Sequence, residues 1–378
     1  VGIHEGLHEA RVPFAGQCTN SVAFGWNPIG AHQIDLDLAP GETTTFAFVL
    51  AYVEQGDAPK FDAPFVMNKA LGRAIVEKYS APGAVEGAFA RLQNYWDELL
   101  GKFQADCPNE HASRMLNVWN QYQCMATFNM SRSASMSETG IGRGMGFRDS
   151  NQYLLGFVHM IPSRARQRIL DIAATQLSDG TCFHQYQPLT KKGNAEIGGD
   201  FYDDHLWLVL STCAYVKESG DVSILQAPCG YADREYAGEG DKETLLHHLE
   251  TSIAYTKKKR GPHGLPLIGH ADWNDCLNLN CFSTEPNESF QTAGDVKDSK
   301  AESVMIAGLF LYAAREMAEL YDFTAREDDA GRMRAHYAEM LEVVEREAWD
   351  GEWYTRAYDA EGRVIGSQTN IEGKIFIE

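Results

Sequence analysis

Apolar positions in the first 60 residues follow the pattern of β-strands. HQIDLDL (32–38) alternates apolar and polar residues, and TTTFAFVLAYV (43–53) is dense in β-branched and aromatic residues. NSVAFGW (20–26) has a similar composition. Alternation of apolar and polar residues is typical of β-strands, and so is enrichment in β-branched and aromatic residues. Residues 1–60 are therefore predicted to be the end of an N-terminal β-sandwich domain.

From about residue 62 the apolar spacing changes to three and four residues, which predicts helices. Segments 63–80 and 84–103 are the first two helices and fall in a predicted helical linker, residues 61–106. Pro162 and the pair Asp203-Asp204 are typical helix start signals. Further helices are predicted near 110–128, 149–160, 163–178, 203–218, 243–259, 299–322 and 327–349.

The connections between the later helices are long and rich in polar residues. Long connections without regular structure are uncommon in compact helical domains unless they carry a function. No sequence repeat of the solenoid kind is present. The pattern predicts a mainly α fold, a helical array or toroid whose loops gather at one end.

Composition narrows the classes of partner. The chain has 378 residues and a net charge of −20, which disfavours nucleic acids and anionic membrane surfaces as partners. No apolar run reaches the roughly 20 residues of a membrane-spanning helix. A small anion such as phosphate remains compatible, because a few arginines can bind it within an acidic protein.

The eight cysteines are scattered and form no Cys-x-x-Cys pair, which predicts a reduced protein in the cytoplasm. The chain opens with VGIHEGLHEA, without an initiator Met, and closes with GKIFIE, which resembles an interrupted strand. We expect the natural protein to continue beyond both ends.

The first candidate for chemistry is RSASMSETGIGRGMGFRDS (132–150). It places Arg132, Arg143 and Arg148 among glycines and small residues. Glycines permit close approach of the backbone to a ligand, and arginines bind phosphate or carboxylates through paired hydrogen bonds. Asp149 can accept hydrogen bonds from hydroxyls. A solvated loop has the same composition, and no predicted strand precedes it, so a dinucleotide site is rejected.

The second candidate is HQYQPLTKKGNAEIGGDFYDDHLW (184–207). Aromatic faces beside amides and carboxylates suit sugar rings, which present C–H faces and many hydroxyls. The alternative is an ordinary polar loop, with Asp203 capping the next helix and His205 buried as a structural histidine.

The third candidate is HADWNDCLNLNC (270–281). Its cysteines and histidine lack the spacing of a zinc site, and it lacks the alternating oxygen ligands of a calcium loop. Asp272 and Asp275 flank Trp273, and a carboxyl group against an aromatic wall can retain a proton near neutral pH. Such a group is suited to general acid catalysis, but the pattern alone does not choose between the two aspartates.

Together these stretches resemble glycoside hydrolase family 94, and within it the cellobiose phosphorylases. The matching blocks occur in the family order. They are GRGMGFRDSNQYLLGFVHMIPSRARQRIL, DGTCFHQYQPLTKKGNAEIGGDFYDDHLWL, GPHGLPLIGHADWNDCLNLNCFS, KAESVMIAGLF, WDGEWYTRAYDAEG and EGKIFIE.

The resemblance implies a fold in which an N-terminal β-sandwich and a helical linker precede an (α/α)6 barrel and a small C-terminal β domain. Residues 107–378 would be the barrel, incomplete at its C-terminal end. Further phosphate-binding residues of the family, including a histidine, and the acceptor-subsite residues would lie beyond residue 378.

The resemblance also implies a reaction and its residues. Phosphate cleaves cellobiose with inversion to α-D-glucose 1-phosphate and D-glucose, and no cofactor is expected because phosphate is a substrate. Asp275 matches the general acid, Arg143, Asp149 and Trp273 match the glucosyl subsite, and Arg132 matches a phosphate-binding arginine. Phosphate is itself the nucleophile, so the catalytic base of an inverting hydrolase is unnecessary.

Other functions fit parts of this pattern. A related phosphorylase could act on cellodextrin, chitobiose or laminaribiose, since the residues that select the acceptor are not in the chain. An inverting hydrolase would need a base facing Asp275, which the sequence does not identify. A non-catalytic sugar-binding fragment is a third alternative. Asp272 is expected to be structural, and the resemblance implies a homodimer.

Overall fold

The computed structural model describes residues 8, 11–18, 30–53, 59–64, 66–130, 144–188, 190–194, 199–277, 279–280 and 299–376. The chain divides into two compact units, residues 1–94 and 95–378. The predicted domain limits at residues 60 and 106 remain predictions.

The described residues of the first unit contain little regular structure before residue 61. A short helix, α1, spans Arg11–Ala15. Strands β1 (Phe61–Ala63) and β2 (Val66–Met67) pair antiparallel as a small hairpin. Helix α2 follows at Ala70–Ser80, and α3 spans Ala84–Leu100, so the division between the units falls within α3.

The strands predicted at 32–38 and 43–53 are absent from the structure. Both segments are described, and neither is helix or strand. Side chains such as Leu50 and Phe48 are exposed there. A strand is stable only when a neighbouring strand pairs its backbone groups, and the described residues place none beside these segments. Alternation at 32–38 and the β-branched and aromatic residues at 43–53 were therefore insufficient for these two predictions. NSVAFGW lies outside the described residues.

The second unit is mainly helical. Its helices are a continuous run of α4 (Glu110–Arg114), a π-helical turn (Met115–Trp119) and α5 (Asn120–Met130), then α6 (Phe147–Leu155), α7 (Pro162–Ala173), α8 (Asp204–Ser219), α9 (Leu245–Lys258), α10 (Val304–Phe323) and α11 (Glu327–Glu347). Within the described ranges, no helix is long and apolar enough to cross a membrane.

In the described ranges of the second unit, three small antiparallel sheets lie between these helices. Their strands are β3 (Met145–Gly146), β4 (Gln185–Gln187) and β5 (Lys192–Asn194); β6 (Pro228–Cys229) and β7 (Glu243–Thr244); and β8 (Glu302–Ser303), β9 (Ala357–Tyr358) and β10 (Val364–Ile365). The strand orders are β3-β4-β5, β6-β7 and β10-β9-β8. Two of these sheets include the residues immediately before α6 and α10, and so fix where those helices begin.

Burial separates inner from outer helices. Helix α8 is buried around nearly its whole circumference and contacts α6, α7, α9 and α10. Helix α10 is also deeply buried, whereas α11 packs along it with one face in solvent. Helices α6, α8 and α10 form the inner layer, and α7, α9 and α11 pack outside it. This arrangement is the helical barrel type of fold that the sequence predicted.

The ends of the helices follow local sequence signals. Pro162 is the first residue of α7, and Gly220 ends α8 with a left-handed φ of 68°. His205, in the first turn of α8, is buried and lies 2.7 Å from the Thr256 hydroxyl. Burial lowers the pKa of His205 to about 3. It is a structural histidine, as expected.

We predict that Leu206→Ala lowers the free energy of unfolding by about 2–5 kcal/mol, because it opens a cavity on the fully buried inner helix α8. Leu155→Ala is the matched control, because Leu155 of α6 is 37% exposed and should change stability by less than about 1 kcal/mol. Urea denaturation followed by circular dichroism measures both. Equal losses would contradict the assignment of α8 to the core.

Candidate active site

The N-terminal ends of the three inner helices meet at one loop, residues 269–277. Arg148, in the first turn of α6, donates from Nη1 to Asp203, which precedes α8 (3.3 Å), and to the backbone oxygen of Asp272 (2.8 Å). Ser303, which precedes α10, donates its hydroxyl to Asp272 Oδ2 (2.6 Å). The loop that contains Asp-Trp-Asn-Asp is therefore held by α6, α8 and α10 together.

A glycine determines how this loop begins. Gly269 has a φ of 70°, and a Cβ there would overlap the backbone oxygen of Asp200. The next residue, His270, donates its backbone N–H to Asp200 (2.9 Å) and places its ring Nδ1 2.6 Å from the Gly199 oxygen. The start of the loop thus lies directly against the segment that leads into α8.

The segment before the loop is held by a buried carboxylate. Glu302 of β8 accepts from the backbone N–H groups of His263 (3.0 Å) and Leu265 (3.1 Å), and its other oxygen lies 2.5 Å from the His263 ring. Burial raises the pKa of Glu302, although His263 opposes the shift. No motif in the sequence singles out Glu302.

Asp272 is the structural centre of the loop. Its side chain is fully buried, and Arg356 donates to both carboxylate oxygens at 2.7 Å. Ser303 and the backbone N–H of Asn274 (3.1 Å) donate to the same carboxylate. A bidentate pair with additional donors fixes a carboxylate in one orientation. Donors from the protein thus already bind both oxygens of the Asp272 carboxylate. No motif in the sequence singles out its partner Arg356.

Arg148 is buried and surrounded by carboxylates. In addition to Asp203 and the Asp272 backbone, it contacts Asp275 Oδ1 through Nη2. Burial alone disfavours the charge of Arg148, but the carboxylates of Asp203, Asp204 and Asp275 outweigh burial and raise its pKa above the usual value. The sequence placed Arg148 beside Asp149 in a candidate loop but gave it no partner.

Asp203 is not the helix cap that the sequence allowed. Its side chain makes no capping hydrogen bond; instead it accepts from Arg148 and from the indole N–H of Trp207 (3.0 Å). Burial raises the pKa of Asp203 to about 7, and the carboxylates of Asp204 and Asp272 add to the shift while Arg148 and Trp207 oppose it. The sequence carries a signal for the contact between Asp203 and Trp207, because residues four apart lie on one face of a helix.

Asp275 and Trp273 lie at the accessible side of the loop. The Asp275 side chain keeps 35% of its surface exposed while contacting Arg148. Trp273 is 48% exposed, and its indole N–H donates to Gln152 of α6 (3.2 Å). The partner of the Asp275 carboxylate is thus an arginine, rather than the aromatic wall that the sequence suggested.

A second buried pair lies beneath this network. His184 Nδ1 is 2.8 Å from Asp204, and the ring stacks on Phe201 with centroids 4.2 Å apart. Burial disfavours the charged ring, but Asp204 outweighs it and raises the pKa of His184. Phe201 also lies under the guanidinium of Arg148, 5.6 Å from ring centroid to Cζ. His184 and Asp204 belong to the polar block predicted to contact sugar, but both are buried.

Asp149 lies in the first turn of α6, as predicted, and is partly buried. A Cβ at Gly146 would overlap its carboxylate, so the glycine makes room for it. Arg132 and Arg143 lie outside the described residues. Their predicted contacts with phosphate and sugar therefore remain predictions, as do the roles assigned to Asp149, Trp273 and Asp275.

This arrangement can perform proton transfer at an accessible carboxyl group backed by fixed charges. Asp275 can meet a substrate, whereas Asp272, Asp203 and Asp204 are buried. In the described part of the chain, no group of three or more His, Cys, Asp or Glu side chains is arranged to hold a metal ion.

We predict that Asp272→Asn lowers the free energy of unfolding by about 3–5 kcal/mol, because it removes the negative charge from the bidentate pair that Asp272 makes with the buried Arg356 guanidinium. Asp322→Asn is the matched control. Asp322 makes a bidentate pair with Arg334, but both side chains are about half exposed, so the loss should stay below about 1 kcal/mol. Chemical denaturation compares the two variants, and similar losses would show that burial does not set the strength of the Asp272 pair.

We predict that Asp203→Asn becomes more stable relative to the unsubstituted protein as pH rises from about 4 to about 7. The fold raises the Asp203 pKa from 3.8 to about 7, so the stability contributed by the protonated carboxyl is complete below about pH 4 and is lost as pH rises through the folded value. Asparagine does not ionise and does not lose this contribution.

Urea denaturation between about pH 5 and pH 7.5 tests this prediction. Asp221→Asn, just beyond the other end of α8, is the control. Hydrogen bonds from Ser223 and Tyr215 lower the pKa of Asp221, so its contribution is complete above about pH 4 and the effect of the substitution should be constant in this range. A constant difference for Asp203→Asn as well would contradict the prediction.

Comparison with characterised proteins identifies relatives over almost the whole chain. The N,N'-diacetylchitobiose phosphorylase of Vibrio proteolyticus is 28% identical over 387 residues, covering 96% of this chain and 43% of that protein. The solabiose phosphorylase of Paenibacillus borealis is 28% identical over 96% of this chain and 41% of its own length. The cellobionic acid phosphorylase of Neurospora crassa is 22% identical over 98% and 42%. The chain thus spans less than half the length of these relatives.

Two family profiles divide the sequence between them. The glycosyl hydrolase 94 supersandwich domain matches residues 1–82, and the catalytic domain of the glycosyl hydrolase 94 superfamily matches residues 95–378. The second match contains all the helices of the barrel and every residue of the site described above. The chain belongs to glycoside hydrolase family 94, with the family's catalytic domain preceded by its supersandwich domain.

Proposed function

We propose that this chain carries the catalytic centre of an inverting disaccharide phosphorylase in which Asp275 is the general acid. The observation that carries the proposal is the contrast between the two aspartates of the loop. Asp272 is fully buried and bound by Arg356, Ser303 and a backbone N–H, whereas Asp275 is one-third exposed. Only Asp275 of this pair is placed to meet a substrate.

In the proposed reaction, Asp275 transfers a proton to the glycosidic oxygen as the bond from that oxygen to C1 of the glucosyl unit breaks. An oxygen of inorganic phosphate attacks C1 from the opposite face, which inverts the configuration and forms α-D-glucose 1-phosphate. The other sugar leaves with the proton that Asp275 has given. Phosphate replaces the water and the catalytic base that an inverting hydrolase uses.

The geometry supports a glucosyl subsite between α6 and the loop. Asp149 and Gln152 are three residues apart on α6 and therefore share a face of the helix. Trp273 is bonded to Gln152, so Asp149 and Trp273 lie on the same side of α6. A half-exposed indole can stack on a sugar ring while a carboxylate accepts from its hydroxyls. Arg143 and Arg132 complete the proposed sugar and phosphate contacts.

Cellobiose is the proposed substrate, because the blocks around Asp149 and Asp275 resemble those of cellobiose phosphorylases. Relatives of 28% identity or less are named for N,N'-diacetylchitobiose, solabiose and cellobionic acid, so the disaccharide varies within the family while phosphorolysis is common to these three names. Cellodextrin, chitobiose and laminaribiose are the alternatives. A cytoplasmic homodimer without a cofactor is part of the same proposal.

The test uses the natural full-length protein that contains this chain. Cellobiose, N,N'-diacetylchitobiose, laminaribiose and solabiose are each incubated with and without inorganic phosphate, and sugar 1-phosphate is measured. We expect product from cellobiose only when phosphate is present. Asp275→Asn should lower kcat by about 10²–10⁴-fold, because the leaving sugar then receives no proton from the protein.

Asp322→Asn is the control for this substitution, since Asp322 is exposed on α10 and paired with Arg334. It should retain the rate of the unsubstituted protein. Sugar released equally without phosphate would contradict phosphorolysis and indicate a hydrolase. Turnover of another disaccharide but not cellobiose would keep the mechanism and replace the substrate. Binding of sugars without turnover of any of them would indicate a sugar-binding protein.

A further inference from the structure

The guanidinium of Arg148 contacts three aspartates through two nitrogens, and so connects α6 to the segment before α8 and to the loop at 269–277. Nη1 donates to Asp203 (3.3 Å) and to the backbone oxygen of Asp272 (2.8 Å), while Nη2 contacts Oδ1 of Asp275. The side chain is only 3% exposed. Buried groups therefore hold Nη1 of Arg148, and Nη2 faces the carboxyl group proposed as the acid.

This contact distinguishes the two oxygens of Asp275. An arginine nitrogen is a donor only, so the oxygen that it contacts must be an acceptor in both the protonated and ionised states of the carboxyl group. The transferable proton then belongs on Oδ2. When Asp275 gives up this proton, the resulting carboxylate already has a charged donor in place, without rearrangement of the protein.

Asp203 provides a second negative partner for the positive charge of Arg148, in addition to Asp275. An arginine facing a single carboxylate would favour its ionised form and so oppose the protonated acid. Asp203 is fully buried, accepts from Arg148 and is itself fixed by the indole N–H of Trp207 (3.0 Å). The guanidinium charge of Arg148 is thus shared between Asp203 and Asp275, while Nη2 keeps its contact with the acid.

We propose that Arg148 is a positioning residue for Asp275, fixing Oδ1 so that Oδ2 presents the proton to the glycosidic oxygen, and that buried Asp203 is its counter-charge. The inference rests on the proposed function, because it takes Asp275 as the general acid. Nothing in it requires Arg148 to touch the substrate.

The decisive variant is Arg148→Lys. Lysine keeps the positive charge beside Asp203 and Asp275 but is a single point donor that cannot span both with separate nitrogens. The fold should survive, and the KM values for disaccharide and phosphate should change little. The kcat for the disaccharide should fall by about 10²-fold, which is the effect expected when a reacting group is misplaced by about 1 Å.

An activated substrate separates positioning of the acid from a general structural defect. 2,4-Dinitrophenyl β-D-glucoside releases a stable phenolate that needs no proton from the enzyme. Arg148→Lys and Asp275→Asn should both retain its turnover while losing turnover of the disaccharide. Equal losses on both substrates would overturn the proposal and make Arg148 a purely structural residue.

Asp203→Asn, assayed above about pH 7 where the Asp203 carboxyl is ionised, tests the counter-charge with the hydrogen-bond acceptor retained. Asp275 then remains as the carboxylate that the guanidinium contacts directly, and the disaccharide rate should fall while the rate with the dinitrophenyl glucoside is kept. Asp221→Asn is the control, because Asp221 also pairs with an arginine, Arg166 (3.2 Å), but beyond the opposite end of α8. It should leave both rates unchanged. An unchanged disaccharide rate in Asp203→Asn would refute the role of Asp203.

Hydrogen exchange tests the positioning without any turnover. The backbone N–H groups of Leu277 and Cys276 bond to Asn274 within the loop (2.9 and 3.2 Å), and Arg148 fastens this loop at Asp272 and Asp275. In Arg148→Lys, exchange at residues 273–277 should quicken by about tenfold or more, with α10 unchanged. Unchanged exchange would overturn the proposal even if the protein proves not to be a phosphorylase, whereas loss of phosphate dependence alone would overturn only the proposed function.

Discussion

The buried pair of Asp272 and Arg356 is the constraint on which the rest of the site depends. Arg356 immediately precedes strand β9, so the pair joins the loop at 269–277 to that strand. The Asp272 carboxylate also accepts a hydrogen bond from Ser303, which immediately precedes α10. With one of its two aspartates committed to this role, the loop can leave the other at the surface. A buried ion pair is weak support for stability in general, and here its effect is to fix the path of one loop.

A second layer of charge is built on this frame. The Arg148 guanidinium and the His184 ring lie among Asp203, Asp204 and Asp275, and the Phe201 ring packs against both of them. The inner helices direct their N-terminal ends toward these residues, so helix dipoles favour the carboxylates there. The site is thus a set of mutually compensating charges, of which Asp275 is the member that reaches solvent.

The sequence predicted what depends on local spacing and missed what depends on distant contacts. The helices from 110 to 347 were recognisable because apolar periodicity is a property of each segment, and Pro162 marks its helix directly. The strand predictions at 32–38 and 43–53 required partners that local pattern does not supply. Arg148 and Asp203 are 55 residues apart. Asp272 and Asp275 differ in burial and in arginine partners that lie far along the chain, so neither relationship was readable before the chain was folded.

The bidentate pairing of Asp272 and Arg356 has a consequence for the energetics of any reaction beside them. Dipoles in free water must reorient as charge moves, and that reorganisation contributes to the barrier. Groups that are already dry, paired and fixed cannot relax in this way, so their field is the same before and after a proton is transferred. In this fold the orientation of those charges is accomplished during folding, and it does not have to be repeated in each turnover.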